Sequence, residues 1–76
     1  MGAKLMFEYD RVGDILYISS CPPYADQESD ELAEGVVARM NPESGDIENL
    51  EILWFSQRLK ADRFELPVIA SMRPAD

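Results

Sequence analysis

Seventy-six residues with fifteen acidic side chains, seven basic ones, no histidine and one cysteine carry a formal net charge of −8. That balance disfavours nucleic acid, whose phosphates need Lys and Arg to displace their counterions, and disfavours an anionic membrane on the same ground. It also rules out an internal disulfide, a Cys–His or Ser–His nucleophile, and a zinc site of the usual Cys/His kind.

Lys4 to Tyr9 alternates, with Leu5, Phe7 and Tyr9 on one side and Met6 and Glu8 on the other, which predicts a first strand. Asp10-Arg11-Val12-Gly13-Asp14 is a turn, in which Asp10 can accept N–H groups two residues on. Ile15 to Ser19, rich in β-branched and aromatic residues, is the second strand and completes a hairpin. Pro22-Pro23 ends it, since proline supplies no ladder donor. Ser29 to Glu34, inside an acidic cluster, fits either one helical turn or an irregular lead into a strand, with Gly35 at its end.

Val36 to Met40 is the third predicted strand, and Asn41-Pro42-Glu43-Ser44-Gly45 is a turn by composition. Ile47 to Phe55 is the fourth, the longest and most apolar. Ser56 stands where a helix N-cap belongs, before a short or absent helix over Gln57 to Arg63. Phe64 to Met72 is apolar but broken by Pro67, so it reads as an edge strand or an extended tail. The expected fold is α+β: a four-stranded antiparallel β-meander, one short helix after strand four, and an extended C-terminal tail. Residues 1–76 form a single domain.

A chain this short buries only roughly 60% of its unfolded surface, so a monomer needs good packing or a second subunit. Parity along the fourth strand puts Leu50, Ile52 and Trp54 on one side and Leu53 and Phe55 on the other, beside Glu51. Ile15 and Tyr17 oppose Leu16 and Ile18. Helix and tail can cover one such face; the other is expected to meet a second protomer across a two-fold axis. Leu53, Phe55, Leu16 and Ile18 are therefore candidate interface residues of a homodimer. A basic protein is a further possible partner for so acidic a chain. Acidity that merely keeps a domain soluble is the simpler account. The lone Cys21 and the lack of an N-terminal apolar stretch suggest a cytoplasmic protein outside the membrane.

The candidate chemical residues are Asp10, Asp14, Glu51 and Ser56. Gathered carboxylates can bind Ca²⁺ or Mg²⁺ or share a proton. The local alternative is that Asp10 and Asp14 cap turn amides while Glu51 pairs with Arg39 or Arg58. The local reading is favoured, because a metal needs more ligands than the sequence places and Asp10-x-x-x-Asp14 lacks EF-hand spacing. No catalytic constellation is complete, and no metal or cofactor is expected.

Tyr9-Asp10-x-x-x-Asp14-x-Leu16-Tyr17-Ile18, an acidic loop, Gly35-Val36-Val37, a turn with Gly45, and Leu50-Glu51-Ile52-Leu53-x-x-Ser56-x-x-Leu59 follow in order. This series resembles the domain-of-unknown-function 2283 family of small, mostly bacterial proteins, over about residues 4–59. The family often has glycine just before the Leu-Glu-Ile-Leu core; here it is Asn49, which tolerates unusual backbone angles and a bulge. The resemblance implies a compact, mainly antiparallel β domain and no established activity. Relatives beside small basic toxin-like proteins would suit an acidic, antitoxin-like neutralising role. The expected function is a non-enzymatic interaction or structural module. The alternatives are that acidic neutralising protein, or a small-ligand or divalent-ion-binding domain.

Overall fold

The computed structural model describes residues 4–75. Strands β1 (Met6–Asp10) and β2 (Ile15–Ser19) form the expected hairpin. Strand β3 (Glu28–Ala33) then pairs with β4 (Val36–Met40), and β4 pairs with β5 (Ile47–Leu53). A helix of one turn, α1 (Phe55–Arg58), runs into a 3-10 turn over Leu59–Ala61. No strand or helix follows as far as residue 75, and the tail turns sharply at Pro67, where the Val68 N–H donates to the Leu66 carbonyl at 2.8 Å.

The α+β character holds, but the sheet has five strands where the sequence suggested four. The extra strand is the acidic segment read as a helical turn or an irregular lead. Its carboxylates disfavour β structure in general, yet β3 is an edge strand with Glu28, Asp30 and Glu31 in water. A simple meander is also corrected, because the strand order is β1-β2-β5-β4-β3. The last strand in sequence is central and joins two hairpins. All the ladders are antiparallel.

Residues directly opposite in a ladder share a face. Ile52 lies between Leu16 and Val36, and Leu50 between Ile18 and Ala38. These residues make the core, where Ile52 and Ala38 are 0% exposed. Leu32, Met40 and the tail residues Leu66 and Val68 pack against it. Phe55 carries the cover toward β1 through rings 5.8 Å from Tyr9 and 5.8 Å from Phe64.

The other face carries Ile15, Tyr17, Val37 and Leu53, all half-buried, around Glu51, Arg39, Asn49 and Ser19. It is mixed rather than apolar. The long fourth strand also ends earlier than its composition suggests. At Trp54 the backbone turns left-handed (φ 54°), which stops β5 and starts α1. Trp54 is therefore an exposed residue and not a neighbour of Leu50 and Ile52 in the core.

Candidate functional site

The four polar candidates occupy three separate places. Asp10 closes the β1–β2 turn: its Oδ1 accepts the N–H of Val12 at 3.0 Å and of Gly13 at 3.2 Å. Asp14 sits at φ 56°, a conformation aspartate accepts more readily than most residues. That geometry turns its carboxylate away from Asp10 and toward α1. Asp14 Oδ1 accepts the Tyr9 hydroxyl at 2.7 Å and the Ser56 N–H at 2.9 Å, and Oδ2 accepts the Ser56 hydroxyl at 2.7 Å. The Asp14 carbonyl also accepts the Phe55 N–H at 3.0 Å.

Asp14 therefore serves the helix start, the role the sequence suggested for Ser56. Ser56 lies inside α1, and its hydroxyl donates outward to Asp14. The bonds from Tyr9 and then Ser56 hold the Asp14 carboxyl below its ordinary value. The same bond raises the Tyr9 hydroxyl, because ionised tyrosine could not donate it.

Glu51 lies on the open face of β5 and accepts a hydrogen bond from Arg39 Nε at 2.6 Å. The two residues are diagonal neighbours across the β4–β5 ladder, where Arg39 stands opposite Asn49 and Glu51 opposite Val37. Asp10 is two strands from Glu51, roughly 10 Å away by strand spacing alone. Asp10, Asp14 and Glu51 thus hold three different sets of partners. Among the described residues, no three Cys, His, Asp or Glu side chains gather as a metal ion would need.

The four interface candidates also divide. Leu16 and Ile18 lie on the core face opposite Ile52 and Leu50, whereas Leu53 lies opposite Ile15 on the open face. Phe55 follows the break at Trp54 and packs with Tyr9 and Phe64. Parity assigned Phe55 to the side of Leu53, and the left-handed residue between them cancels that count.

A second polar cluster was not visible in the motif. Glu48 Oε1 accepts the Tyr24 hydroxyl at 2.7 Å and Gln27 Nε2 at 3.0 Å, while Oε2 accepts Asn41 Nδ2 at 3.3 Å. Gln27 Nε2 also reaches Asn49 Oδ1 at 2.7 Å, and Asn49 Nδ2 donates to the Cys21 carbonyl at 2.7 Å. These bonds push the Tyr24 hydroxyl up to about 12 and lower Glu48. Asn49 is 3% exposed. Its backbone is ordinary, although the β4–β5 ladder does shift register beside it. Asn49 matters instead for its amide, which anchors the loop after β2. The sequence signal was a buried-strand position filled by a two-sided hydrogen-bonding side chain.

A shallow hollow of about 320 Å³ lies between Glu34, Trp54, Gln57 and Arg58. Its base is the β3–β4 turn, where Gly35 has φ 73°. A Cβ on Gly35 would lie 2.6 Å from the Trp54 ring and 2.5 Å from Arg58 Nη2. Arg58 is already committed, donating to the carbonyls of Leu53 at 2.8 Å and Glu34 at 2.7 Å. The hollow is a place where Trp54 and Arg58 clamp the turn. Among the described residues, no buried side-chain polar atom lacks a hydrogen-bond partner. Among the described residues, no helix is long and apolar enough to cross a membrane.

Neither the curated proteins nor the solved structures yielded a match. A family match does exist, over residues 6–56. It begins at the first residue of β1 and closes on Ser56, whose hydroxyl binds Asp14, so the matched span holds all five strands and the hairpin–helix lock. The chain belongs to the family described as "Protein of unknown function (DUF2283)".

Proposed function

We propose that the protein is a non-enzymatic interaction module of the cytoplasm that associates with a second copy of itself. The observation that carries this reading is the contrast between its polar and apolar groups. Asp10 holds turn amides, Asp14 holds Tyr9 and Ser56, and Glu51 holds Arg39. Each candidate for chemistry is engaged in keeping the fold. Leu5, Met6, Phe7, Tyr9 and Val12, by contrast, stand exposed together along and beside β1. Clustered apolar exposure of this kind marks contact surfaces. Sedimentation velocity over a concentration series tests the reading: association is expected, and a monomer at every concentration would remove it.

A second reading has its own support. Glu28, Asp30, Glu31 and Glu34 line β3 and its turn at the opposite sheet edge, all exposed. Such a field attracts a basic protein, as an antitoxin-like neutralising role requires. Affinity purification from the native host, with the size of the recovered complex, separates the readings. Recovery of a small basic protein in stoichiometric amount favours the second; recovery of the chain alone as a dimer favours the first.

A further inference from the structure

The two sheet edges differ in how strongly charge guards them, and β3 carries the stronger guard. β3 carries Glu28, Asp30 and Glu31, and two such edges laid together would stack like charges. β1 is guarded less: its acidic residues are Glu8 and Asp10, and Lys4 just before it supplies an opposite charge. It ends the sheet, so one side of its backbone has no strand partner among the described residues. Its apolar side chains are open: Met6 is 59% exposed, Phe7 61% and Tyr9 44%, with Leu5 just before the strand at 55%. Edges of this kind template pairing with another chain.

We infer that two copies pair antiparallel through β1, across a two-fold axis at Phe7, joining two five-stranded sheets into one. This rests on the self-association proposed above and names its surface. The axis stands normal to the sheet, so both copies keep the same face and each residue meets one of like parity. With Phe7 opposite its own copy, Leu5 meets Tyr9 and Lys4 meets Asp10, each twice by symmetry. Lys4 and Asp10 then form two opposite-charge cross-strand pairs at the ends of the ladder. Asp10 is free to do so: its Oδ1 holds the turn amides, and Oδ2 has no hydrogen-bond partner in the turn.

Neighbouring registers are poorer. Centring on Glu8 places two glutamates directly opposite and sets Met6 against Asp10. Centring on Met6 keeps Lys4 beside Glu8 but leaves Tyr9 and Asp10 beyond the shared ladder. The Phe7 register alone uses all of residues 4–10 and pairs Lys4 with Asp10, while Met6 stands opposite Glu8 twice. It also lines up Leu5, Phe7 and Tyr9 of both copies as one apolar strip on the core face, continuous with the Tyr9–Phe55–Phe64 rings. A ladder this short buries little area, so the dimer is a weak one that forms as concentration rises.

Cysteine crosslinking tests the register. In a Cys21→Ser background, Phe7→Cys places two thiols at a two-fold pair. Their Cα atoms stand about 4.5–5.5 Å apart, within disulfide range. Met6→Cys and Glu8→Cys then sit roughly 8 Å from their own copies, too far to bridge. Oxidation is expected to give covalent dimer from Phe7→Cys and little from the other two, while a mixture of Leu5→Cys with Tyr9→Cys gives the crossed dimer. Equal crosslinking at all positions, or preference for Met6 or Glu8, overturns this register. Sedimentation of Phe7→Glu, which opposes two carboxylates on the axis, is expected to weaken association at least tenfold. A wild-type dimer left intact by Phe7→Glu overturns edge pairing while sparing self-association. A wild-type monomer overturns both, and an open-ended series of larger species would mean β1-to-β3 stacking and overturn the two-fold.

Discussion

The two faces of the sheet are built from the same strands, yet they are held by different physics. On one, Leu50, Val36 and Ala38 lie under Leu66 and Val68, Ile52 is fully buried, and burial of apolar surface dominates. On the other, an Arg39–Glu51 pair sits among half-buried Ile15, Tyr17, Val37 and Leu53. The comparison teaches that an apolar strand does not make both its faces hydrophobic. One glutamate and one arginine at the centre leave the second face wettable. The case for a partner therefore moves from that face to the edge.

The largest expected effect strikes the covered face. Ile52 is 0% exposed, so Ile52→Ala should cost about 2–5 kcal/mol, read from chemical denaturation. Leu53→Ala, one residue on but across the sheet, should cost under about 1.5 kcal/mol. Equal losses from the two substitutions would erase the distinction between the faces. The tail comes next. Leu66→Asp with Val68→Asp sets charge against the core and should cost about 1–3 kcal/mol, a fall in Tm of very roughly 4–8 °C per kcal/mol. An unchanged Tm would mean that the tail adds nothing to the cover.

A smaller effect is expected on the open face. The Arg39 and Glu51 side chains are 36% and 19% exposed, so solvent screens their pair. Glu51→Gln should cost about 0.2–1 kcal/mol, with the gap from wild type closing in ~1 M salt. A large, salt-insensitive loss would show that this face is drier than its exposure implies. The smallest effect concerns pH. The folded Asp14 carboxyl lies below its ordinary 3.8, so its contribution is present above that value and lost as pH falls through the lower folded one. Asp14→Asn should lower Tm at neutral pH, and its melting curve should converge with wild type in acid. Parallel curves down to low pH would remove Asp14 from the acid response.

Much of this was legible in the chain, and the gaps have physical causes. β2 and β4 have the limits their residue types suggest, because β-branched runs between turn residues leave few alternatives. Asp10 holds its turn as a local pattern allows, since the partners lie two and three residues away. β3 was obscured by its own charge. Its signal was Gly35 set directly before the Val36–Met40 run, where the left-handed residue between β3 and β4 falls. The Asp14–Ser56 lock spans 42 positions, and the amide of Asn49 reaches back 28. Spacing alone does not reveal contacts that only the strand order creates. Trp54 is the sharpest case: one left-handed residue reverses every parity inference after it.

The position of β5 has a consequence for how the chain assembles. Two arms, β1–β2 and β3–β4, can each zip up from a nearby turn, but their backbones are joined in the sheet through the segment Ile47–Leu53. That segment follows both in the chain, and a two-stranded hairpin alone is marginally stable, so neither arm is firmly held until the keystone docks between them. Closing the gap brings together residues far apart along the chain, which is the slow kind of step in folding. A lesion in β5 would therefore loosen both hairpins at once, and pulse proteolysis of such a variant should cut first in the unpaired chain beyond Met40.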